Sequence, residues 1–306
     1  KGDYGVYLLG GNITCQSNGL AGKGISADSL IIIGVAGNAD SLLHLNVTTT
    51  GNRFYVSGTI GVGPNDNADY ANPKAVKSDG NLYVNNGIIT INCTQTTEGG
   101  EGLESKDSLF INGGLIEINT YDDCVNAANH IQINGGKTYA YSRGNDGFDS
   151  NGTFLITGGF TISCGTRAPE EGFDCDQNNF KITGGVLIGT GGSTSDPTAS
   201  LCTQHSLKYS NATAGNSICI KNSSNTPILT YTLPTYYGSS QGGPGGGNTM
   251  LLLYTSPSLT AGTYTLQYGG TITGGTSFHN YYDGATYTGG SSKTFTISTS
   301  MVTSVQ

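Results

Sequence analysis

Four short stretches carry paired oxygen ligands at one spacing. They are Glu101 and Glu104 in GEGLES, Asp123 and Asn126 in DDCVNA, Asp146 and Asp149 in NDGFDS, and Glu171 and Asp174 in EEGFDC. Seven of these eight side chains are carboxylates, in a chain where only 11% of residues are charged. Oxygen-only ligands suit a hard cation, and their number and flexible spacing favour Ca²⁺ over Mg²⁺. Histidine is nearly absent nearby (only His130), which disfavours zinc.

A repeat positions these pairs. NLYVNNGIITI (81–91), SLFINGGLIEI (108–118), HIQINGGKTYA (130–140), TFLITGGFTIS (153–163) and NFKITGGVLIG (179–189) share alternating apolar residues followed by a glycine corner. The corner glycines Gly87, Gly114, Gly136, Gly159 and Gly185 are spaced by 27, 22, 23 and 26 residues. A unit of this size, built from short strands, predicts one turn of a parallel β-helix, a solenoid, rather than an antiparallel sandwich. Alternation then turns Leu82/Val84, Leu109/Ile111, Ile131/Ile133, Phe154/Ile156 and Phe180/Ile182 inward. A second inward set precedes them, from Val76/Ser78 through Leu103/Ser105, Val125/Ala127 and Phe148/Ser150 to Phe173/Cys175.

The residue between each second pair must point outward, which puts Lys77, Glu104, Asn126, Asp149 and Asp174 in one column. Three positions earlier, Lys74, Glu101, Asp123, Asp146 and Glu171 form another. Strands stack about 4.8 Å apart, where two carboxylates repel by about 3.5 kcal/mol at an effective dielectric of about 20. The columns need protons or a cation. They fit a solvated acidic face, a structural calcium staple, or calcium that also helps hold a ligand. The metal candidates are therefore Glu101, Glu104, Asp123, Asn126, Asp146, Asp149, Glu171 and Asp174.

Residues 24–34 read as another turn, and residues 4–15 as an irregular first one. The 51 residues from Ile25 to Val76 suggest two turns. Beyond about residue 190 the pattern fades, 191–197 and the glycine-rich 238–250 read as loops, and later segments still read as strands. The expected organisation is a parallel β-helix over 1–210 and a β-rich C-terminal extension over 211–306 that covers the open end of the coil. The seven cysteines show no CxxC pair and read as small buried thiols.

Residues 98–176 hold 13 acids and 4 bases, whereas the remainder holds 8 and 9. The excess negative charge thus lies in one quarter of the chain, which argues against nucleic acid and for a cation. No stretch approaches the roughly 18 apolar residues of a membrane span. No signal-like segment is visible, so an export signal is expected to have been removed or never present. A monomer is expected. Arg143, Arg167 and Lys77 border the acidic columns and are candidates for binding carboxylates of an acidic glycan, which arginine grips bidentately. Tyr121 and Tyr141 lie ahead of the acidic corners in matching places and are candidates for stacking on sugar rings.

The corners YDDCVNA, NDGFDSNG and EEGFDCD, each followed by a glycine-cornered strand, resemble a family of secreted bacterial right-handed β-helix proteins. The family is labelled as carbohydrate-binding domain proteins and is structurally akin to pectate lyases. The resemblance is good over 74–190, weak in the flanks and moderate at SPSLTAGTYTLQYGG. It implies a right-handed coil, a secreted or cell-surface location, calcium held by acids, and binding of plant cell-wall polysaccharide, either pectin-type such as polygalacturonate or cellulose. The matching positions are Asp123, Asp146, Asp149, Glu171 and Asp174. Cys124 and Asn126 depart from the family's usual residues, which makes that turn the weakest ligand set.

Three function classes follow. The first is calcium-dependent, non-catalytic polysaccharide binding. The second is a pectate-type lyase, in which a cation acidifies the uronate C5 proton and a base removes it. Lys77 is the base available on the outward column, but it lacks an obvious neighbour that would keep it neutral, so binding is favoured. The third is a structural or adhesin-like surface protein.

Overall fold

The glycine corners set the phase of the whole chain. Gly87, Gly114, Gly136, Gly159 and Gly185 all adopt positive φ, between 84° and 120°, a backbone that residues with a Cβ rarely take. Each turns the chain from one strand into the next without disturbing the alternation on either side. The computed structural model describes residues 1–37, 43–61, 65–95, 99–236 and 247–306. Among them the chain is all-β, with no α-helix.

Three parallel sheets collect successive strands in rotation. Sheet 1 holds Lys23–Ala27, Lys74–Ser78, Glu101–Ser105, Val125–Ala127, Phe148–Ser150 and Phe173–Cys175. Sheet 2 runs from Gly5–Leu8 and Leu30–Ile33 through Asn81–Val84 to Phe180–Ile182. Sheet 3 runs from Gly11–Ser17 and Leu43–Thr49 through Ile88–Cys93, Leu115–Thr120, Lys137–Ser142 and Phe160–Cys164 to Val186–Gly191. From Lys23 onward the chain visits sheets 1, 2 and 3 in the same order six times.

The register follows the repeat. Leu82, Leu109, Ile131, Phe154 and Phe180 pair in sequence across sheet 2, and Val76, Leu103, Val125, Phe148 and Phe173 do so across sheet 1. All ten are buried in one continuous core. At its late end Phe148 packs on Phe173 with ring centroids 5.5 Å apart, and Phe154 on Phe180 at 5.1 Å. All seven cysteines are free thiols, and all but Cys15 are buried.

One expectation is corrected. Ile25 pairs directly with Val76, so the 51 residues between them make one turn and not two. The surplus leaves the coil as an antiparallel hairpin, Phe54–Ser57 with Asp69–Ala71. Spacing alone cannot separate a turn plus an excursion from two turns.

At the far end, Thr249–Thr255 pairs antiparallel with Val186–Gly191 and Ser206–Thr213 pairs with it in turn. The segment 193–204 closes the other two sheets: the N–H groups of Ser195, Thr198 and Thr203 donate to the carbonyls of Phe173, Phe180 and Ile182. A further six-stranded sheet, which includes Pro227–Thr232, Gly262–Tyr268, Thr276–Phe278 and Tyr281–Asp283, belongs to a second core. That core includes Ile162, Cys164 and Ile188 on the outer face of sheet 3, together with Leu229, Tyr231 and Leu266. The later strands therefore cover a side of the coil as well as its end. Residues 238–246 of the expected glycine-rich loop lie outside the described residues.

Candidate functional site

Both acidic columns form on sheet 1 and the corner before it. Pairing puts Lys77, Glu104, Asn126, Asp149 and Asp174 in register. Lys74 pairs with Glu101. Farther along, the Asp146 N–H donates to Asp123 Oδ1 at 3.2 Å, and the Glu171 N–H donates to Asp146 Oδ1. Each later carboxylate is thus held by the backbone of the next turn.

Gly147 makes this closeness geometrically possible. A Cβ there would stand 2.9 Å from the Gly172 carbonyl oxygen and 3.0 Å from the Cys164 nitrogen. Without one, the chain between Asp146 and Asp149 lies flat against its neighbours.

Of the three readings of the columns, a solvated acidic face fits least, because several of the acids are buried. Glu104 is 1% exposed, Asp123 5% and Asp146 6%. The columns divide into two parts by how their charge is met. In the first part Lys74 contacts Glu101, lies 3.6 Å from Glu104, and is itself buried. Lys106 reaches Glu104 at 2.5 Å. Burial lowers the Lys74 pKa, but Glu101 and Glu104 outweigh it and leave the ammonium favoured. The first turn is an ion-pair network. Lys77 meets Asp79 in an ion pair.

The second part has no lysine or arginine in ion-pair range among the described residues. Asp123, Asp146 and Asp149 each offer an oxygen, and the three atoms lie within 4.8 Å of one another. Asn126 Nδ2 donates to Asp149 Oδ2 at 2.7 Å and to Asp123 Oδ2 at 3.2 Å. Burial is the main cause that raises all three pKa values, aided by neighbouring acids. Asp146 is pushed up to about 8, Asp149 to about 7, and Asp123 well above the usual range. Glu171 is pushed up to about 7 by burial and by Asp174, and its Oε2 is buried with no hydrogen-bond partner among the described residues. Asp174 accepts from Ser195 Oγ at 3.1 Å.

The donor set fits a calcium ion. Calcium–oxygen bonds of about 2.3–2.6 Å place oxygens on opposite sides of the ion about 5 Å apart, close to the span found here. Asn126 would join by presenting Oδ1 in place of Nδ2, a half-turn of its amide.

Beside this cluster lies an open cleft of about 370 Å³, lined by Asn72, Tyr121, Asp122, Gly144, Asn145 and Glu170. Asp122, Asn145 and Glu170 immediately precede Asp123, Asp146 and Glu171. The cleft therefore runs alongside the acidic column. Asn145 Nδ2 donates to Asp122 Oδ1 at 2.7 Å, which fixes one wall. The three lining residues were not singled out in the sequence, although their constant place before the column was visible there.

Other candidates are placed differently. Tyr121 and Tyr141 do not match: Tyr141 pairs with Asn119, so Tyr121 stands two residues farther along. Tyr121 lines the cleft, while the Tyr141 hydroxyl donates to the Thr235 carbonyl at 3.2 Å, under the later strands. Arg143 donates to the carbonyls of Thr120, Cys93 and Gln95, tying three turns together, and its guanidinium lies 6.0 Å from the Tyr121 ring. Arg167 lies over the Tyr236 ring at 4.6 Å.

A family model described as carbohydrate-binding domain-containing protein matches residues 12–147 and 96–226. No curated protein and no solved structure matches the chain. No helix among the described residues is long and apolar enough to cross a membrane.

Proposed function

Since the chain belongs to the carbohydrate-binding domain-containing protein family, we propose that it is a non-catalytic, calcium-dependent binder of plant cell-wall polysaccharide, acting outside the cell. The preferred ligand is an acidic, pectin-type polymer, with cellulose as the neutral alternative. The coil that carries the site is a right-handed parallel β-helix over 1–210. Its support is the fixed rotation among three parallel sheets, since parallel crossovers are almost always right-handed. Residues 211–306 form the extension.

The observation that carries this reading is the group of Asp123, Asp146 and Asp149 oxygens, within 4.8 Å of one another, beside a cleft. Asp123, Asp146 and Asp149 would hold the ion, with Asn126, Glu171 and Asp174 beside them. Bound calcium would supply a positive charge for uronate carboxylates. Tyr121 offers a ring to a pyranose face, and Asp122, Asn145 and Glu170 offer acceptors to its hydroxyls. Glu101 and Glu104 serve the turn before as partners of Lys74 and Lys106.

Against a lyase stands the placement of Lys77, which is engaged by Asp79. A base for C5 must be neutral and within reach of that proton.

The test is migration through a polygalacturonate-containing gel, with calcium and with chelator. Retardation that calcium strengthens and that falls back to its chelator level in Asp149→Asn, with no ultraviolet-absorbing unsaturated product, is expected. Product formation abolished by Lys77→Ala would replace this reading with the lyase. Unretarded migration with calcium, on pectate and on cellulose alike, would leave a structural role.

A further inference from the structure

We propose that the chain has a second glycan site, independent of calcium, on the outer face of sheet 3 where the hairpin Thr276–Phe278/Tyr281–Asp283 folds onto it, and that this site takes a uronate-containing oligosaccharide. The proposal rests on the family's carbohydrate binding and not on the acidic cluster, which lies on sheet 1.

The site begins with an outward column. Ile88, Leu115, Lys137, Phe160 and Val186 pair in register at the entry to sheet 3. Here an antiparallel hairpin from the second core comes down beside the coil. Its tip, His279 and Asn280, has two consecutive non-glycine residues at positive φ, 43° and 66°. Positive φ at both residues is what a two-residue hairpin turn of this hand requires, and the tip also has an anchor on the coil. His279 provides it: its ring stacks on Tyr139 at 3.6 Å between centroids, and its Nε2 lies 3.0 Å from Glu117 Oε1.

Pinning the tip fixes the residues on either side of it. Phe278 and Tyr281 are held over Phe160, with ring centroids at 6.0 and 4.9 Å and planes inclined at 72° and 64°. Three half-buried aromatic rings thus meet at steep angles around an open cleft of about 450 Å³. Ser277 and Asp283 stand at its edge. A second cleft of about 310 Å³ shares Tyr281 and Asp283 with the first, so the two adjoin at this strand.

The chemistry of the lining selects the ligand. Aromatic faces suit the C–H face of a pyranose, and Asp283 and Ser277 suit its hydroxyls. Lys137 adds a charge. Its ammonium lies 3.9 Å from the Phe278 centroid and 5.6 Å from that of Phe160, and it makes no ion pair among the described residues. A cation resting on aromatic rings at the rim of a cleft is placed to meet a sugar carboxylate. The adjoining clefts favour several linked units over one. The stacked pair Tyr83 and Phe110 on sheet 2 offers no comparable platform, because their faces are spent on each other, at 4.7 Å and 7°.

The experiment is calorimetric titration in chelator, with trigalacturonate and with an uncharged cello-oligosaccharide of equal length. Trigalacturonate should bind the wild-type chain without calcium. Lys137→Gln, a surface change, should weaken that binding at least fivefold, and Ser277→Trp, which fills the rim, should abolish it. Asp149→Asn should leave it unchanged. Phe278→Ala should weaken it at least tenfold, with near-ultraviolet dichroism reporting the fold. No binding in chelator, or binding indifferent to Lys137→Gln and Ser277→Trp, overturns the site. Equal affinity for the uncharged oligomer overturns the assigned ligand class. In the Ser277→Trp chain, whose second site is filled, calcium-dependent retardation on pectate that is lost in Asp149→Asn reads the first site separately, so either site can fail alone.

Discussion

Without divalent cations, this chain should become less stable as pH rises from 5 to 7, against the usual trend for acids that pair with bases. Burial pushes Asp146 up to about 8 and Asp149 up to about 7. An unfolded aspartate titrates near 3.9. Between these values the native chain keeps protons that the unfolded chain has lost, so stability is full at low pH and is lost as pH climbs toward the native values. Each retained proton costs about 1.4 kcal/mol per pH unit. The neighbouring acids titrate together, so one shared proton is the conservative count. Over two pH units that gives about 3 kcal/mol, or roughly 5 °C in Tm at about 2 °C per kcal/mol for a long chain. Glu171, pushed to about 7, adds in the same direction. Calcium at the proposed site would take up the ionised carboxylates and should offset the trend, with about 2.7 kcal/mol gained at a concentration 100 times Kd. The assay is thermal unfolding at pH 5, 6 and 7, in chelator and in millimolar calcium. Asp146→Asn keeps an acceptor for the Glu171 N–H and removes one titration, so it should flatten the chelator series by about one proton. A Tm that rises from pH 5 to 7 in chelator, or a slope unchanged by Asp146→Asn, would refute the reasoning.

Three further outcomes follow. Glu104→Gln should cost about 3 kcal/mol by chemical denaturation, because Lys74 stays buried with only Glu101 to meet it. Gly147→Ala should cost about 2 kcal/mol, since its Cβ would stand 2.9 Å from the Gly172 carbonyl oxygen, and should weaken calcium binding in titration calorimetry by parting Asp146 from Asp149. Phe148→Ala should cost about 4 kcal/mol and lower Tm, because it removes a fully buried ring from the contacts with Phe154 and Phe173.

Much of the stacking was legible in the sequence, because two independent signals agree. The glycine corners set the phase, and the alternation around Leu82, Leu109 and Phe154 sets which way each side chain points. A slip of one residue would turn every member of the set outward. Less visible was the burial of the acids. At Glu104 it depends on the local Lys106 and on Lys74, which the stacking brings in from the turn before. The split between an ion-pair network at Glu101 and Glu104 and an uncompensated cluster at Asp123, Asp146 and Asp149 needs those contacts. The covered side of sheet 3 left a faint trace. Its outward column reads Thr90, Glu117, Tyr139, Ile162, Ile188, changing from polar to apolar along the coil. Ile162 and Ile188 break the polar half of the alternation where the second core begins. The paired strands Phe54–Ser57 and Asp69–Ala71 left no such trace.

Closure of the far end by separate segments gives the molecule a growth rule. Segment 193–204 ends sheets 1 and 2, and the antiparallel strand Thr249–Thr255 ends the parallel run of sheet 3 after Val186–Gly191, whereas each interior strand of sheets 1 and 2 pairs only with its two neighbours. A tandem duplication of residues 123–145 would leave that terminus intact. It would lengthen the rod by one layer and supply one more Asp/Asn pair. Gene duplication within this lineage could therefore adjust cation stoichiometry in whole steps, with no new loop or lid to invent.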